Sequence, residues 1–109
     1  MLPKKERLSR EDFSRFFSSG KRRNSPALGL VYTPYPSLHV SVVVPKKVAR
    51  RAVDRNVMRR RIYDIVRRHR DEVGATGVFI FLAKAPALRM PFGALRDEVI
   101  GLITAACGR

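Results

Sequence analysis

The residues best suited to chemistry form a dense run of cationic side chains in the middle of the sequence. Residues 46–70 contain eleven Lys and Arg residues but only two acids, Asp54 and Asp64, for a local charge of +9. Guanidinium groups donate paired hydrogen bonds that match the oxygens of a phosphate. Charge of one sign along one segment cannot neutralise itself. The pattern therefore predicts binding to nucleic-acid phosphates.

Helical periodicity predicts which side of the helix carries these cations. At about 100° per residue, a helix over residues 50–70 places an apolar stripe, Met58, Ile62, Ile65 and Val66, toward a core. The side roughly 140° away from that stripe carries guanidinium, amide and phenol groups within about a quarter-turn of one another. These residues are Asn56, Arg59, Arg60, Tyr63 and Arg67. We predict that this side faces the polyanion.

The whole chain supports the same partner. Its 109 residues carry 23 Lys and Arg against 9 acids, a net charge of +14 and a pI near 11.4, which is typical of nucleic-acid binders. A hydrophobic fraction of 45% indicates one folded domain, residues 1–109. No apolar run approaches the roughly 18 residues of a membrane span. The single Cys107 and the lack of a signal peptide predict a cytoplasmic protein.

Local signals outline the elements that would hold the cationic helix. The first is a short helix, with Ser9 as N-cap, Leu8 packing on Phe13, and Gly20 ending it in a left-handed turn. Two strands, residues 27–33 and 38–44, flank a proline-containing segment that we interpret as a hairpin turn, which would make them antiparallel.

Three further elements complete the predicted fold. A weakly signalled strand covers residues 21–24, a central strand covers residues 78–83, and a last helix spans residues 91–106. The central strand is predicted because its apolar run is continuous. Leu95, Val99, Leu102 and Ile103 would be the buried stripe of the last helix. The fold class is therefore α+β, with helices packed on a mixed sheet.

The sequence lacks a catalytic constellation. Its acids occur singly or as neighbours in sequence, and neighbouring side chains on a helix point apart. His39 and His69 are isolated, and Cys107 has no His or Asp nearby in sequence. A protein nuclease needs a general base, a nucleophile or carboxylates that hold a metal. We therefore predict no catalytic residues and no metal ligands on the protein.

Three separated motifs resemble the protein component of bacterial ribonuclease P. The sequence KKVARRAVDRNVMRR at residues 46–60 is similar to the family's signature of a paired Lys followed by a basic helix. Phe13, Phe17 and Gly20 resemble its first helix, and GVFIFLAKAP at residues 77–86 resembles its late strand. The similarity spans essentially the whole chain, with the motifs in the family's order.

The resemblance implies a fold and an activity. The fold would be a single-domain α-β sandwich in the order α-β-β-β-α-β-α, with a four-stranded mixed sheet and a left-handed βαβ crossover. The protein would be the accessory subunit of an endoribonuclease that removes the 5′ leader of precursor tRNA. Ribonuclease P RNA, with Mg²⁺ bound mainly by that RNA, would carry the chemistry. One protein monomer would pair with one RNA, with no small-molecule cofactor and no membrane.

The resemblance also assigns residues to two RNA contacts. The catalytic RNA would be bound by Lys46, Lys47, Arg50, Arg51, Arg55, Asn56, Arg59, Arg60, Tyr63 and Arg67. The precursor tRNA leader would lie in a cleft between the first helix and the sheet, against Phe13, Phe17, Tyr32 and Lys46. Aromatic rings beside cations are how proteins bind single-stranded RNA. Phe16, by contrast, is expected in the core.

The chain departs from the family pattern at three positions. Val57 replaces the third residue of the Arg-Asn-Arg core, Pro45 replaces a small hydroxyl residue, and Tyr63 stands at an often basic position. A ribosomal protein or a general RNA chaperone remains an alternative, since such basic domains are common there. A helix-turn-helix DNA-binding protein is disfavoured, because a strand precedes the long helix.

Overall fold

The computed structural model describes residues 8–107, so the first seven and last two residues of the predicted 1–109 domain lie outside the described part. The helices are α1 (Arg10–Ser19), α2 (Ala52–Val73) and α3 (Phe92–Ala106). The strands are β1 (Lys21–Asn24), β2 (Leu28–Thr33), β3 (Leu38–Val43) and β4 (Gly77–Ala83). A short 3-10 helix, Ala85–Arg89, joins β4 to α3. The predicted order of elements is confirmed, including the weakly signalled β1.

The sheet order corrects one prediction. The four strands lie in the order β1-β2-β4-β3, so β4 separates β2 from β3. β4 is antiparallel to β2 and parallel to β3. The predicted β2–β3 hairpin is therefore wrong as a pairing, although the two strands run in opposite directions as predicted. Because the apolar run of β4 is continuous, both faces of this strand must be buried, and a central position in the sheet provides that burial. Residues 34–37 therefore cross the end of β4 and do not form a tight turn from β2 to a paired β3.

The two faces of the sheet carry different helices. On one face, α2 and α3 bury the main core, which includes both predicted helical stripes, for example Met58 and Val99. On the other face, α1 packs on Val31, Val78 and Ile80. The result is a layered α+β sandwich with α1 and α2 on opposite sides. β3, α2 and β4 form a βαβ unit between adjacent parallel strands, whose left-handed crossing stays a prediction.

Both ends of α1 are defined by specific contacts. The Ser9 hydroxyl accepts a hydrogen bond from the Asp12 amide at 3.2 Å, which confirms the predicted cap. The predicted left-handed turn at Gly20 is wrong, because its φ and ψ are −74° and 160°. Glycine is required there for close approach, since a Cβ would lie 2.5 Å from Cγ1 of Val31. The left-handed cap occurs instead at Gly74, after α2.

No helix within residues 8–107 is both long enough and apolar enough to cross a bilayer.

Candidate nucleic-acid interface

The cationic segment begins on a tight turn between β3 and α2. The amides of Val48 and Ala49 both donate to the carbonyl of Pro45, at 3.0 and 3.2 Å. This turn exposes Lys46 and Lys47 at the carboxyl end of β3. The segment therefore lies at the junction of the two layers, where α2 begins on one face of the sheet.

Two cations of α2, Arg55 and Arg59, are held by hydrogen bonds to nearby groups of the protein. Nη1 of Arg55 donates to the carbonyls of Ala49 and Arg50, at 3.0 and 2.7 Å. Arg59 donates to the side-chain oxygen of Asn56. These hydrogen bonds hold the backbone that leads into α2 and orient the first arginine side chains of that helix. Arg55 therefore stabilises the backbone before α2 and also contributes positive charge at the surface.

The remaining cations differ in how far acids neutralise them. Arg67 lies 3.3 Å from Asp64, and Arg51 lies 3.9 Å from Asp54. Such exposed pairs are weak and open readily to a competing polyanion. Among residues 8–107, four exposed predicted contacts have no ion pair with an acid: Lys46, Lys47, Arg50 and Arg60. Their charge is the most available to a phosphate.

Tyr63 does not lie where the helical angle predicted. Its side chain is only 7% exposed and belongs to the main core. α2 packs against α3, β3 and the 3-10 helix, so its buried side is wider than a single stripe. The predicted exposure of the Tyr63 phenol to RNA is therefore wrong. Asn56, Arg60 and Arg67 are exposed as predicted.

Two predicted leader-binding rings form a platform on α1. Phe13 and Phe17 stack with their centroids 5.4 Å apart and their planes 14° apart. Both are half-buried against the cluster beneath α1. The guanidinium of Arg22, on β1, lies 4.8 Å from the Phe17 centroid. A paired ring with a cation above it suits base stacking beside a phosphate backbone.

Tyr32 lies on the opposite face of the sheet from this platform. Side chains alternate along a strand, and β2 turns Val31 toward α1 and Tyr32 toward the main core. The Tyr32 hydroxyl donates to the carbonyl of Thr76 at 3.2 Å. Burial, with a smaller contribution from Cys107, raises the pKa of Tyr32. The predicted placement of Tyr32 in the leader cleft is therefore wrong.

The structure reveals surface features that the sequence patterns did not. Phe16, predicted in the core, is only half-buried and meets the ring of Tyr35, which is 44% exposed. Lys84 donates to the carbonyl of Ser25 at 2.9 Å. The position of Tyr35 between Pro34 and Pro36 was the available sign that this residue lies outside the strands.

The two histidine side chains, which are potential catalytic groups, form hydrogen bonds with residues nearby in sequence. His39 bonds Ser37 at 2.8 Å, and His69 bonds Glu72 at 2.9 Å. No group of three or more His, Cys, Asp or Glu side chains within residues 8–107 is arranged to hold a metal ion. The chemistry that the arrangement offers is phosphate neutralisation along α2 and base stacking along α1.

The chain is similar in sequence to known proteins over nearly its full length. A family model described as Ribonuclease P matches residues 2–107. A ribonuclease P protein component from a Synechococcus species is 32% identical over 113 residues, which cover 97% of this chain and 85% of that protein. Another, from a Picosynechococcus species, is 38% identical over 64 residues, covering 56% of this chain and 55% of the relative.

Solved structures share the fold. The RNase P protein from Thermotoga maritima matches with a TM-score of 0.82 at 23% identity, covering 92% of this chain and 96% of its own. A mutant RNase P protein from Staphylococcus aureus matches with a TM-score of 0.84 at 19% identity, covering 95% of this chain and 90% of its own. The chain therefore belongs to the ribonuclease P protein family, the protein component of a ribonucleoprotein endoribonuclease that processes tRNA.

Proposed function

We propose that this protein binds two RNAs at once, one on each side of its sheet. The catalytic RNA of ribonuclease P contacts α2 and the turn before it, and the 5′ leader of precursor tRNA contacts α1. The observation that carries the proposal is that exposed cations such as Arg60, which has no ion pair with an acid within residues 8–107, and the stacked Phe13 and Phe17 lie on opposite layers. Lys46, at the end of β3, lies at the junction and serves both contacts.

The division of labour follows from the side chains on each face. Cations on α2 lower the repulsion between closely packed RNA phosphates, so they stabilise the active RNA fold. Rings on α1 hold unpaired leader bases, so they favour precursor over mature tRNA. The RNA subunit, with Mg²⁺ bound mainly to it, supplies the hydrolytic chemistry. The protein acts as a cytoplasmic monomer, one per RNA, without a small-molecule cofactor.

Reconstitution tests the proposal. Purified protein is mixed with a transcribed bacterial ribonuclease P RNA and a precursor tRNA at low Mg²⁺, and leader release is followed over time. We expect the protein to restore cleavage that the RNA alone cannot sustain, because its cations replace part of the Mg²⁺ needed for RNA folding. Binding to the RNA without faster cleavage would contradict the proposal and favour an RNA chaperone.

A further inference from the structure

The connection between β2 and β3 carries an exposed aromatic ring that the proposed platform does not include. Tyr35 lies between Pro34 and Pro36 and is 44% exposed. It stands on the α1 side of the sheet, because its ring contacts Phe16 of α1 with centroids 5.9 Å apart and planes 80° apart. The Tyr35 ring therefore contacts α1 and stays partly open to solvent.

Tyr35 belongs to a row of rings and charges. Its other neighbour is His39 on β3, with centroids 5.5 Å apart and planes 71° apart. At the far end of the row, the Arg15 guanidinium lies 4.6 Å from the Phe16 centroid. Ser37 bonds Nε2 of His39 at 2.8 Å and so orients the imidazole. Edge-to-face packing of this kind holds Tyr35 in place, and the residue is still 44% exposed.

This row and the Phe13/Phe17 platform extend from α1 toward different edges of the sheet. Phe16 and Phe17 are adjacent in sequence, so they project about 100° apart around the helix. Phe17 meets Arg22 of β1, whereas Phe16 leads through Tyr35 to His39 of β3. β1 and β3 are the two edges of the sheet. α1 thus has an aromatic surface toward each edge.

The β3 side also provides a path to the cationic turn. α1 packs chiefly over β2 and β4. The outward residues of β3, His39, Ser41 and Val43, are left half-buried. This strip leads from Tyr35 along β3 to its carboxyl end, where Lys46 follows. Rings at one end and a Lys pair at the other fit a single strand of RNA, whose bases stack and whose phosphates need cations.

We infer that Tyr35, supported by Phe16 and His39, is a second base-stacking site for single-stranded RNA. The site accepts a leader nucleotide beyond those held by Phe13 and Phe17, so it is occupied only when the leader is long enough. The inference rests on the proposed function, because the ligand is the leader of a precursor tRNA.

Leader length provides the test. The reconstituted holoenzyme is titrated with precursor tRNAs of graded leader length and with mature tRNA, and dissociation constants are measured for each. We expect Tyr35→Ala to weaken binding of long-leader precursor by about 5-fold or more, as for one lost base–aromatic stack. Affinity for mature tRNA should be unchanged, and Tyr35→Phe, which keeps the ring, should bind like the wild type.

A matched control comes from the other face of the sheet. Phe92, at the start of α3, is 40% exposed, so Phe92→Ala removes a similar exposed ring and should leave every dissociation constant unchanged. The inference is overturned if Tyr35→Ala binds long leaders as tightly as the wild type. Equal weakening for mature tRNA would overturn it too. Far-UV circular dichroism confirms that each variant is folded.

The same titration separates this inference from the proposed function. If the wild-type holoenzyme does not prefer precursor over mature tRNA, the proposed function fails and the inference fails with it. If the wild type shows that preference and Phe17→Ala abolishes it while Tyr35→Ala does not, only the inference fails.

Discussion

Replacing Arg60 with Gln removes one cation that is exposed and has no ion pair with an acid among residues 8–107. The substitution keeps a long polar side chain and removes no side-chain hydrogen bond within residues 8–107. Any change in RNA affinity therefore reports a lost phosphate contact rather than altered packing. Arg55→Gln is less informative, because Arg55 also supports the carbonyls of Ala49 and Arg50.

The size of the effect follows from counterion release. Each phosphate contact contributes roughly 0.7–0.9 to the slope of log affinity against log salt. Between about 50 and 200 mM salt, one contact accounts for roughly a 3-fold loss of affinity. The wild type should therefore lose about 3-fold more affinity than Arg60→Gln over this range. The difference between the two proteins should be largest at low salt.

The assay is equilibrium binding of labelled ribonuclease P RNA across a salt series. Arg96→Gln is the control, since Arg96 is an exposed arginine on α3 that lies 3.4 Å from Asp97. It removes the same formal charge from the chain and should leave the slope unchanged. If Arg60→Gln has the wild-type slope, or if both variants lower it equally, the assignment of the α2 face to RNA is refuted.

Further predictions concern Phe17, Tyr32 and Gly20. Phe17→Ala should weaken holoenzyme binding to precursor tRNA by roughly 1–3 kcal/mol, measured by titration, with mature tRNA unaffected. Tyr32→Phe should cost about 0.5–1.5 kcal/mol of unfolding free energy through its lost bond to Thr76, measured in urea, without altering RNA affinity. Since burial raises the pKa of Tyr32 by disfavouring its ionised form in the folded protein, ionisation of Tyr32 above about pH 10 should lower the unfolding free energy of the wild type, and this contribution should be absent from Tyr32→Phe. Gly20→Ala should destabilise by roughly 1–3 kcal/mol, because its methyl overlaps Val31; unchanged urea midpoints would contradict this.

Local patterns predicted the elements well because their causes are local. The Met58 and Ile62 stripe follows from helical period alone, and the Ser9 cap needs only residues one turn away. Strand order has a different origin. A β2–β3 hairpin is the prediction that four intervening residues favour. Which strand pairs with β2 depends, however, on β4, which follows α2 in the sequence. No pattern within a short stretch of sequence shows that β4 takes the place beside β2 that β3 would have in a hairpin.

The sequence predicted the residue types of the candidate site better than it predicted the directions in which their side chains point. Helical angle placed Tyr63 outside, but the contacts of α3 and the 3-10 helix widen the buried side of α2. Strand alternation decides between Val31 and Tyr32, and the sequence alone does not reveal which set faces α1. Tyr35 was missed because its exposure depends on α1 and β3 meeting around it.

The most direct test of the two-sided account is cleavage of RNA by a tethered radical source. In a Cys107→Ser background, Val57→Cys on the outward side of α2 and Ser14→Cys on α1 each receive an iron chelate, and the holoenzyme is assembled with precursor tRNA. Both positions are exposed, and neither replaces a proposed contact. We expect radicals from position 57 to cut ribonuclease P RNA and those from position 14 to cut the leader. Cleavage of the same RNA from both positions would contradict the account.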